Sequence, residues 1–369
     1  MDRTYRHLLL LQAVLAAANS MAVVFAITFF RNEGFTDGDV VLLNLVAFAV
    51  SALGCVAFTR VRPLRARASM AAGLVVLASS YAAYLVLSGW PLLLFVAVAW
   101  GAYIPLFFLP FNALVIGQTR AGDRARKVAT FILAYTVVGI AGPALGGVVV
   151  DRLGYGPLFA LAVGILAAGI ALMFRLGVGD RNVAFAFDFR RMGARTNVAL
   201  FAEGGFEGMA FGILPLIAYG FTSEAIALGG LFSLFALAGG AVTVVLGVAS
   251  DRFRNRRPFL LAGAACSVVA SLLVVQAPSP AAFAVGNSLL SLTSSLAPVF
   301  LFTIAVERGP GRHAEAIVTR EVLLNAGRAA SLSAFFVLIT LGATTQQAFA
   351  LAAVSLAFVA LGDAKPAME

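Results

Sequence analysis

The sequence predicts an all-α membrane protein of twelve transmembrane helices, built as two tandem six-helix bundles. Three observations predict this fold class: an apolar composition, apolar stretches of membrane-spanning length along the whole chain, and short motifs that recur half a chain apart. Of the 369 residues 61% are hydrophobic and only 12% are charged, too few charged groups to cover a soluble surface of this size. A stretch of about 20 apolar residues crosses about 30 Å of hydrocarbon as a helix.

Twelve apolar stretches approach that length, and short turns rich in Gly and Pro separate several of them. One long polar segment interrupts the series at the middle of the chain. We therefore expect a first six-helix bundle in 1–174, a cytoplasmic linker over 175–196 and a second bundle in 197–369. The expected helices are 8–30, 38–59, 68–88, 91–118, 127–150, 156–174, 197–220, 225–249, 258–276, 281–306, 315–341 and 346–362.

Most of the 26 Lys and Arg residues lie in alternate loops, together with the N-terminus, the linker and the tail. The loops of the other side hold only Arg31 and Arg152. Cytoplasmic loops of membrane proteins carry such an excess of basic residues, so both termini are expected in the cytoplasm. The net charge of +9 therefore reflects topology and not nucleic-acid binding. The expected location is the cytoplasmic membrane of a prokaryotic cell, with the chain as a monomer in the lipid bilayer.

Two short motifs recur with nearly equal offsets, close to half the chain length. The sequence Gly-Phe-Thr at 34–36, after the first predicted helix, recurs at 220–222, after the seventh. The end of the fourth helix, 110–124, carries Pro and two Arg at the same spacing as 298–312. Together they indicate a parallel duplication of six helices.

A glycine, an acid and a basic cluster follow one another before the ninth predicted helix. Residues 247–257 read GVASDRFRNRR, in which Gly247 is followed four positions later by Asp251. The segment resembles the motif that the major facilitator superfamily carries between the second and third helices of each half. The resemblance implies that Gly247 allows close helix packing and that Asp251 forms a cytoplasmic latch with the basic residues. Alternatively, these residues only enforce topology. The basic cluster comprises Arg252, Arg256 and Arg257.

The fifth predicted helix holds a second segment that resembles this superfamily. Gly142 and Pro143 are followed by Gly146 and Gly147. The segment is similar to one that is common in the fifth helix of the superfamily and is often associated with antiporters, so the resemblance favours export. Pro143 removes one helical hydrogen bond and the glycines remove side-chain bulk, so this helix can bend and pack tightly.

The resemblance implies a transporter that moves a small molecule by alternating access, with protons as the expected coupling ion. Proton-coupled efflux is the preferred hypothesis. Uptake by symport or facilitated diffusion is one alternative, and a lipid translocase or non-transporting receptor is another. An enzyme is not expected, because no nucleophile, metal-ligand set or acid and base pair has a recognisable spacing. No catalytic residue, metal or cofactor is therefore expected.

Two carboxylates lie inside the seventh predicted helix. Glu203 and Glu207 are four residues apart and so share one face. Two ionised carboxylates this close repel each other, so one of them is expected to carry a proton near neutral pH. Alternatively, the pair attracts a cationic substrate or forms static ion pairs with arginines of another helix. A charge at the bilayer centre costs at least about 2.5 kcal/mol on insertion scales, so both residues are functional candidates.

The eleventh predicted helix carries a polar stripe. Glu321, Asn325 and Arg328 follow i, i+4, i+7 spacing and so share one face. Arg328 lies deep and requires either a carboxylate or an anionic substrate. Glu321 is the local partner, and a glutamate of the seventh helix is the alternative. Arg320 projects about 100° away, near the cytoplasmic end, where it is expected to reach the interface or to latch against the second-helix loop.

Further polar residues are candidates for the wall of a central cavity. The resemblance implies that the first, fourth, seventh and tenth helices line that cavity. Interhelical hydrogen bonds are an equally ordinary role for such side chains. The candidates are Gln12, Asn19, Tyr103, Asn112, Asn287 and Ser291.

Overall fold

The protein is almost entirely helical. Over the residues that the structure describes, eleven helices are long and apolar enough to cross a membrane, and a twelfth, Thr345–Val359, is apolar but shorter. Each of the twelve overlaps one predicted span, which confirms the predicted series of helices. The computed structural model describes residues 3–60, 64–119, 124–249, 257–307 and 313–362.

The helices fall into two consecutive sets of six. The first set comprises α1 (Arg3–Asn32), α2 (Asp37–Phe58), α3 (Ala66–Val86), α4 (Gly89–Ile116), α5 (Arg124–Leu153) and α6 (Tyr155–Arg175). The second set comprises α7 (Ala194–Phe221), α8 (Ala225–Ala249), α9 (Arg257–Val275), α10 (280–307), α11 (His313–Thr340) and α12 (Thr345–Val359). With twelve crossings, α1 begins and α12 ends on the same face of the bundle, here called the termini face. The other end is called the opposite face.

The second helix of each half begins at an equivalent threonine. Thr36 caps α2: its hydroxyl accepts from the backbone N–H of Asp39 at 3.2 Å, while the Asp39 carboxylate accepts from the backbone N–H of Thr36 at 2.8 Å. Thr222 accepts from the backbone N–H of Glu224 at 3.3 Å, just before α8 begins. Such side chains satisfy donors that the first turn of a helix leaves free. Both threonines end a Gly-Phe-Thr motif, so the sequence repeat marks equivalent helix starts.

The fourth helix of each half is irregular. In α4 a π-helical stretch, Ile104–Phe108, contains Pro105 and separates two α-helical parts. In α10 the helix pauses at Ser295, shortly before Pro298. A third interruption lies in α7 at Ile213, also before a proline. Proline has no N–H to donate, so the regular helical hydrogen bonding cannot continue through these positions.

Helix packing divides the molecule into two halves. In the first half α1 packs on α5 and α6, while α3 packs on α4 and α6. In the second half α7 packs on α11 and α12, while α9 packs on α10 and α12. Two helix pairs provide most of the packing between the halves: α5 with α8, and α2 with α11.

The glycines of α5 lie where other helices approach closely. A Cβ atom on Gly142 would come within 1.9 Å of the Ser20 hydroxyl, and one on Gly146 within 2.2 Å of the Met21 carbonyl oxygen. Both contacts are with α1. Real Cβ atoms do not approach other atoms so closely, so any larger residue would push α1 and α5 apart.

The same segment of α5 also forms the contact with the second half. A Cβ on Gly147 would lie 2.4 Å from the carbonyl oxygen of Ala225 in α8. Reciprocally, a Cβ on Gly229 of α8 would lie 2.3 Å from the carbonyl oxygen of Pro143. Pro143 stays within a continuous α5. This segment therefore holds the two halves at close backbone distance.

Part of the polar linker between the halves forms a short β-strand. The strand β2 (Asn182–Val183) pairs antiparallel with β1 (Leu64–Arg65), which precedes α3. A four-residue helix, Phe189–Met192, then leads into α7. The linker is therefore packed against the termini face rather than extended into solvent.

The proposed latch lies mostly outside the described residues, which do not include Asp251, Arg252 and Arg256. Gly247 belongs to α8, and Arg257 begins α9 with an exposed side chain. The latch remains a prediction.

Candidate functional site

The backbones of α7 and α11 approach each other closely. A Cβ on Gly204 of α7 would lie 2.1 Å from the carbonyl oxygen of Leu324, and one on Gly327 of α11 would lie 1.9 Å from the carbonyl oxygen of Phe201. Only glycine fits at such a crossing. The crossing brings the glutamates of α7 beside the polar stripe of α11.

Glu207 and Arg328 form an ion pair between these two helices. The Nε atom of Arg328 donates to Glu207 Oε2 at 3.0 Å, and Nη2 donates to the same oxygen. The other terminal nitrogen, Nη1, donates to the Oδ1 of Asn325 at 2.8 Å. Asn325 in turn donates to the backbone carbonyl of Glu321 at 2.7 Å. Asn325 therefore holds the guanidinium in the orientation that reaches Glu207, because both of its polar groups are engaged.

Aromatic rings from both halves flank this ion pair. The guanidinium carbon of Arg328 lies 5.2 Å from the ring centre of Phe48 in α2 and 5.9 Å from that of Phe211 in α7. Rings at this distance attract a cation through their quadrupole. Because Phe48 belongs to the first half, Arg328 connects the charged site to the interface between the halves.

Arg320 lies inside the bundle and belongs to the same charged cluster. Its Nη1 donates to Glu321 Oε1 at 2.7 Å, its Nη2 lies 3.6 Å from Glu203 Oε1, and it lies over the ring of Phe302 of α10. The side chain is only 12% exposed. The expectation that it reaches the membrane interface is therefore wrong, and a contact with the second-helix loop, whose residues 61–63 lie outside the described part of the chain, remains a prediction. Inside the bundle its guanidinium is paired with carboxylates on two sides, Glu203 and Glu321.

Glu203 is the most enclosed charged residue of the cluster. It is 1% exposed, and within the described part of the chain neither of its carboxylate oxygens has a hydrogen-bond partner. Arg320, its nearest cation, makes its shorter contact with Glu321. Glu207 thus has a cation of its own, while Glu203 does not.

The charges of the cluster do not balance. Among the described residues that form it, three carboxylates face two guanidiniums, which leaves one formal negative charge uncompensated. An uncompensated charge at this depth is costly. One proton or one bound cation balances the cluster. Its members are Glu203, Glu207, Arg320, Glu321 and Arg328.

The described hydrogen bonds do not bring the six cavity candidates together. Asn19 accepts a hydrogen bond from the Tyr81 hydroxyl at 3.1 Å and so links α1 to α3. Gln12 and Asn287 are buried, and over the described residues Oε1 of the first and Oδ1 of the second accept no hydrogen bond. Tyr103 is buried and stacks on a neighbouring phenylalanine of α4. Asn112 and Ser291 are half-buried.

Sequence reasoning placed Arg320 outside the cluster and did not include three phenylalanines that surround it. Arg320 carried a usable signal, since it is a charge beside an apolar segment. The three phenylalanines carried none, because 31 phenylalanines are spread along the chain and only the tertiary contacts single these out. They are Phe48, Phe211 and Phe302.

The structure consists of two six-helix halves that meet along α2, α5, α8 and α11, and the second half encloses the charged cluster. These features define a polytopic membrane protein built from two bundles of six helices. No family model and no curated protein matches this chain in sequence. Solved structures match it in fold. The fucose:proton symporter FucP of E. coli has a TM-score of 0.68 at 12% identity, with 96% of both chains covered. FucP in an outward conformation, described as a Major Facilitator Superfamily transporter, has a TM-score of 0.67 at 12% identity, again with 96% of both chains covered.

A human protein with the same fold extends this result. The organic anion transporter MFSD10 has a TM-score of 0.67 at 15% identity, with 97% of this chain and 99% of that chain covered. The chain therefore has the twelve-helix fold of the major facilitator superfamily. The resemblance seen in the sequence is confirmed at the level of fold.

Proposed function

We propose that this protein is a secondary transporter that moves a small molecule across a membrane by alternating access, with Glu203 as its proton-binding residue. The observation that carries the proposal is the charge imbalance of the cluster, in which Glu203 is buried without a hydrogen-bond partner among the described residues. The fold supports the transport function, because the proteins that share it include a proton symporter and an organic anion transporter.

A proton is the simplest ligand that balances this site. Protonation neutralises Glu203 without requiring space or additional oxygen ligands. A change of access that brings water to α7 stabilises the ionised form, and closing the site again favours the neutral form. Because Arg320 contacts both Glu203 and Glu321, loss of the proton also changes how the guanidinium is shared. Protonation and the α7–α11 contact are therefore coupled.

The direction of transport that we propose is export. The tight glycine and proline segment of α5 resembles that of antiporters and favours export. The membrane orientation proposed here places the termini face in the cytoplasm, because the basic loops lie on that face. Uptake by symport is the second candidate, since a symporter shares the fold.

Counterflow in liposomes tests the proposal. Ligands are first found by their effect on the melting temperature of the purified protein, and exchange of a ligand is then measured with and without a pH gradient. We expect the wild type to respond to the gradient, whereas Glu203→Gln exchanges the ligand without responding to it. Glu224→Gln, which removes an exposed acid at the start of α8, is the matched control and should behave as the wild type. Equal wild-type rates in both conditions would exclude proton coupling. The side of the liposome membrane on which the pH gradient drives the ligand to accumulate distinguishes uptake from export.

A further inference from the structure

The linker is bound to the first half of the molecule at one point. Its strand β2 pairs with β1 directly before α3. Arg67, at the start of α3, donates from Nε to the carbonyl of Val178 at 3.0 Å and from its backbone N–H to the carbonyl of Gly179 at 2.9 Å. Gly179 has φ +82° and lies so close to Arg67 that a Cβ there would be 3.0 Å from its backbone nitrogen. This part of the linker therefore moves with α3.

The linker is bound to the second half only a few residues later. The backbone N–H of Asp188 donates to the hydroxyl of Thr319 in α11 at 3.0 Å. Thr319 is 1% exposed, and its hydroxyl donates to the carbonyl of Glu315 at 2.9 Å. Phe189 accepts at its carbonyl from the Asn197 side chain at 2.7 Å, which ties the same part of the linker to α7.

Between these two points the linker inserts an aromatic side chain between the halves. Phe185 is 7% exposed and belongs to one apolar cluster with Ile116 of α4 and Val322 of α11. Its ring lies 6.2 Å from that of Phe58 at the end of α2. The ring therefore fills the junction between α2, α4 and α11 on the termini face.

The short distance along the chain limits how far the halves can separate. Val183 is paired with β1, and Asp188 is bonded to Thr319, so five residue steps connect the two halves. A fully extended chain spans about 18 Å over five steps. We propose that residues 178–189 act as a clasp that holds the termini face closed, and that opening this face requires the clasp to release α11. The proposal rests on the proposed function, in that alternating access is the motion restrained.

The clasp reaches the charged cluster through neighbouring residues of α11. Thr319, its attachment point, directly precedes Arg320, which contacts Glu203 and Glu321. When the clasp holds Thr319, this end of α11 stays packed against α4 and α2. Release of the clasp thereby frees the part of α11 that carries Arg320.

A native cysteine reports on this face without any knowledge of the substrate. Cys55 of α2 is fully buried in the same apolar cluster, and Cys266, the chain's other cysteine, is removed by Cys266→Ser. The rate at which N-ethylmaleimide labels Cys55 then follows the population in which the termini face is open. Thr319→Val removes the hydroxyl that accepts from Asp188 and keeps the side-chain shape. We expect it to raise the labelling rate about 2- to 10-fold, the effect of losing one hydrogen bond.

Two further variants separate the clasp from general loosening of the fold. Insertion of four Gly and Ser residues between Phe187 and Asp188 keeps both attachment points and removes the length limit, so it should also raise labelling. Thr340→Val, the same substitution at the other end of α11, removes a local hydrogen bond to Val337 and should leave the rate unchanged. Wild-type labelling rates in both Thr319→Val and the insertion variant, at unchanged melting temperature, would overturn the clasp. Altered labelling in a protein that transports no ligand would instead support the clasp and overturn the proposed function.

Discussion

Arg328 of α11 donates two hydrogen bonds to a single carboxylate oxygen of Glu207 in α7. Both side chains are largely enclosed, with exposures of 11% and 15%. Each therefore depends on the other for neutralisation, and removing one leaves a charge inside the membrane-spanning part of the protein. The pair is thus a structural link between α7 and α11 as well as part of the charged cluster.

Arg328→Ala is expected to destabilise the protein more than Glu207→Gln. The first change leaves the Glu207 carboxylate without its cation. Breaking a buried ion pair in this way typically lowers the free energy of unfolding by about 3 kcal/mol. The second retains an oxygen that accepts from the guanidinium, so part of the contact survives. Thermal unfolding of the purified proteins in detergent measures the difference. Asp151→Asn, which removes one partner of an exposed pair with Arg152, is the control and should change little. Equal losses for Arg328→Ala and Asp151→Asn would contradict the buried ion pair.

Glu203→Gln is expected to make stability insensitive to alkaline pH. In the wild type, raising the pH removes the proposed proton of the cluster and leaves a buried negative charge without a hydrogen-bond partner in the described chain. The melting temperature of the wild type should therefore fall as the pH rises. A neutral glutamine has no proton of this kind to lose, so its curve should be flatter. Glu224→Gln controls for the removal of any acid, since Glu224 is exposed. A parallel fall in the wild type and Glu203→Gln would locate the titrating group elsewhere.

The glycines at the crossing of α7 and α11 are expected to tolerate no larger residue. Gly327→Ala places a Cβ within 1.9 Å of the Phe201 carbonyl oxygen, so the two backbones must separate. We expect a destabilisation of about 1–3 kcal/mol, the usual cost of overpacking. We also expect ligand exchange in liposomes to be lost. Gly164→Ala in α6 is the matched control, because nothing lies within 4 Å of its Cβ position. At position 164 alanine should leave the stability unchanged or raise it, because alanine has a higher helix propensity than glycine. Equal melting temperatures for the two variants would refute the tight crossing.

The helices and their polar faces were predictable from local sequence. Hydrophobic length fixes where a helix can cross a membrane, and each predicted span falls on a helix. Helical periodicity placed Glu321, Asn325 and Arg328 on one face, and the hydrogen bonds that link these three residues agree with it. These properties depend on a single helix, so they need no knowledge of the others.

The partners across helices were not predictable in the same way. The sequence offered Glu321 or a glutamate of α7 to Arg328, and the choice of Glu207 depends on how closely α7 approaches α11. Arg320 was expected outside because it projects about 100° from the stripe. In the structure other helices pack on several sides of α11, and the side on which Arg320 lies therefore also faces the interior of the bundle. The pairing of β2 with β1 depends on two-residue strands, which have no periodic pattern to detect.

The opposite face is closed by a polar network whose weakening is expected to open it. The Tyr219 hydroxyl of α7 donates to the Asn32 side chain of α1, and Asn32 donates to the Tyr155 hydroxyl of α6 at 2.6 Å. The first of these bonds joins the two halves, whereas the second lies within one half. Tyr219→Phe removes only the hydroxyl, so the population open at this face should rise about 2- to 10-fold.

A cysteine introduced behind this network measures the opening. Ala218 is fully buried beside Tyr219, so Ala218→Cys, in a background without Cys55 and Cys266, should react slowly with a membrane-impermeant thiol reagent. Adding Tyr219→Phe should accelerate that reaction, because the remaining contacts hold the halves less firmly. Tyr84→Phe is the matched control, since the Tyr84 hydroxyl bonds to the Ala26 carbonyl within the first half. Acceleration by Tyr84→Phe to the same extent would mean that the reagent detects loosening within a half, and the Tyr219 contact would then have no special part in closing this face.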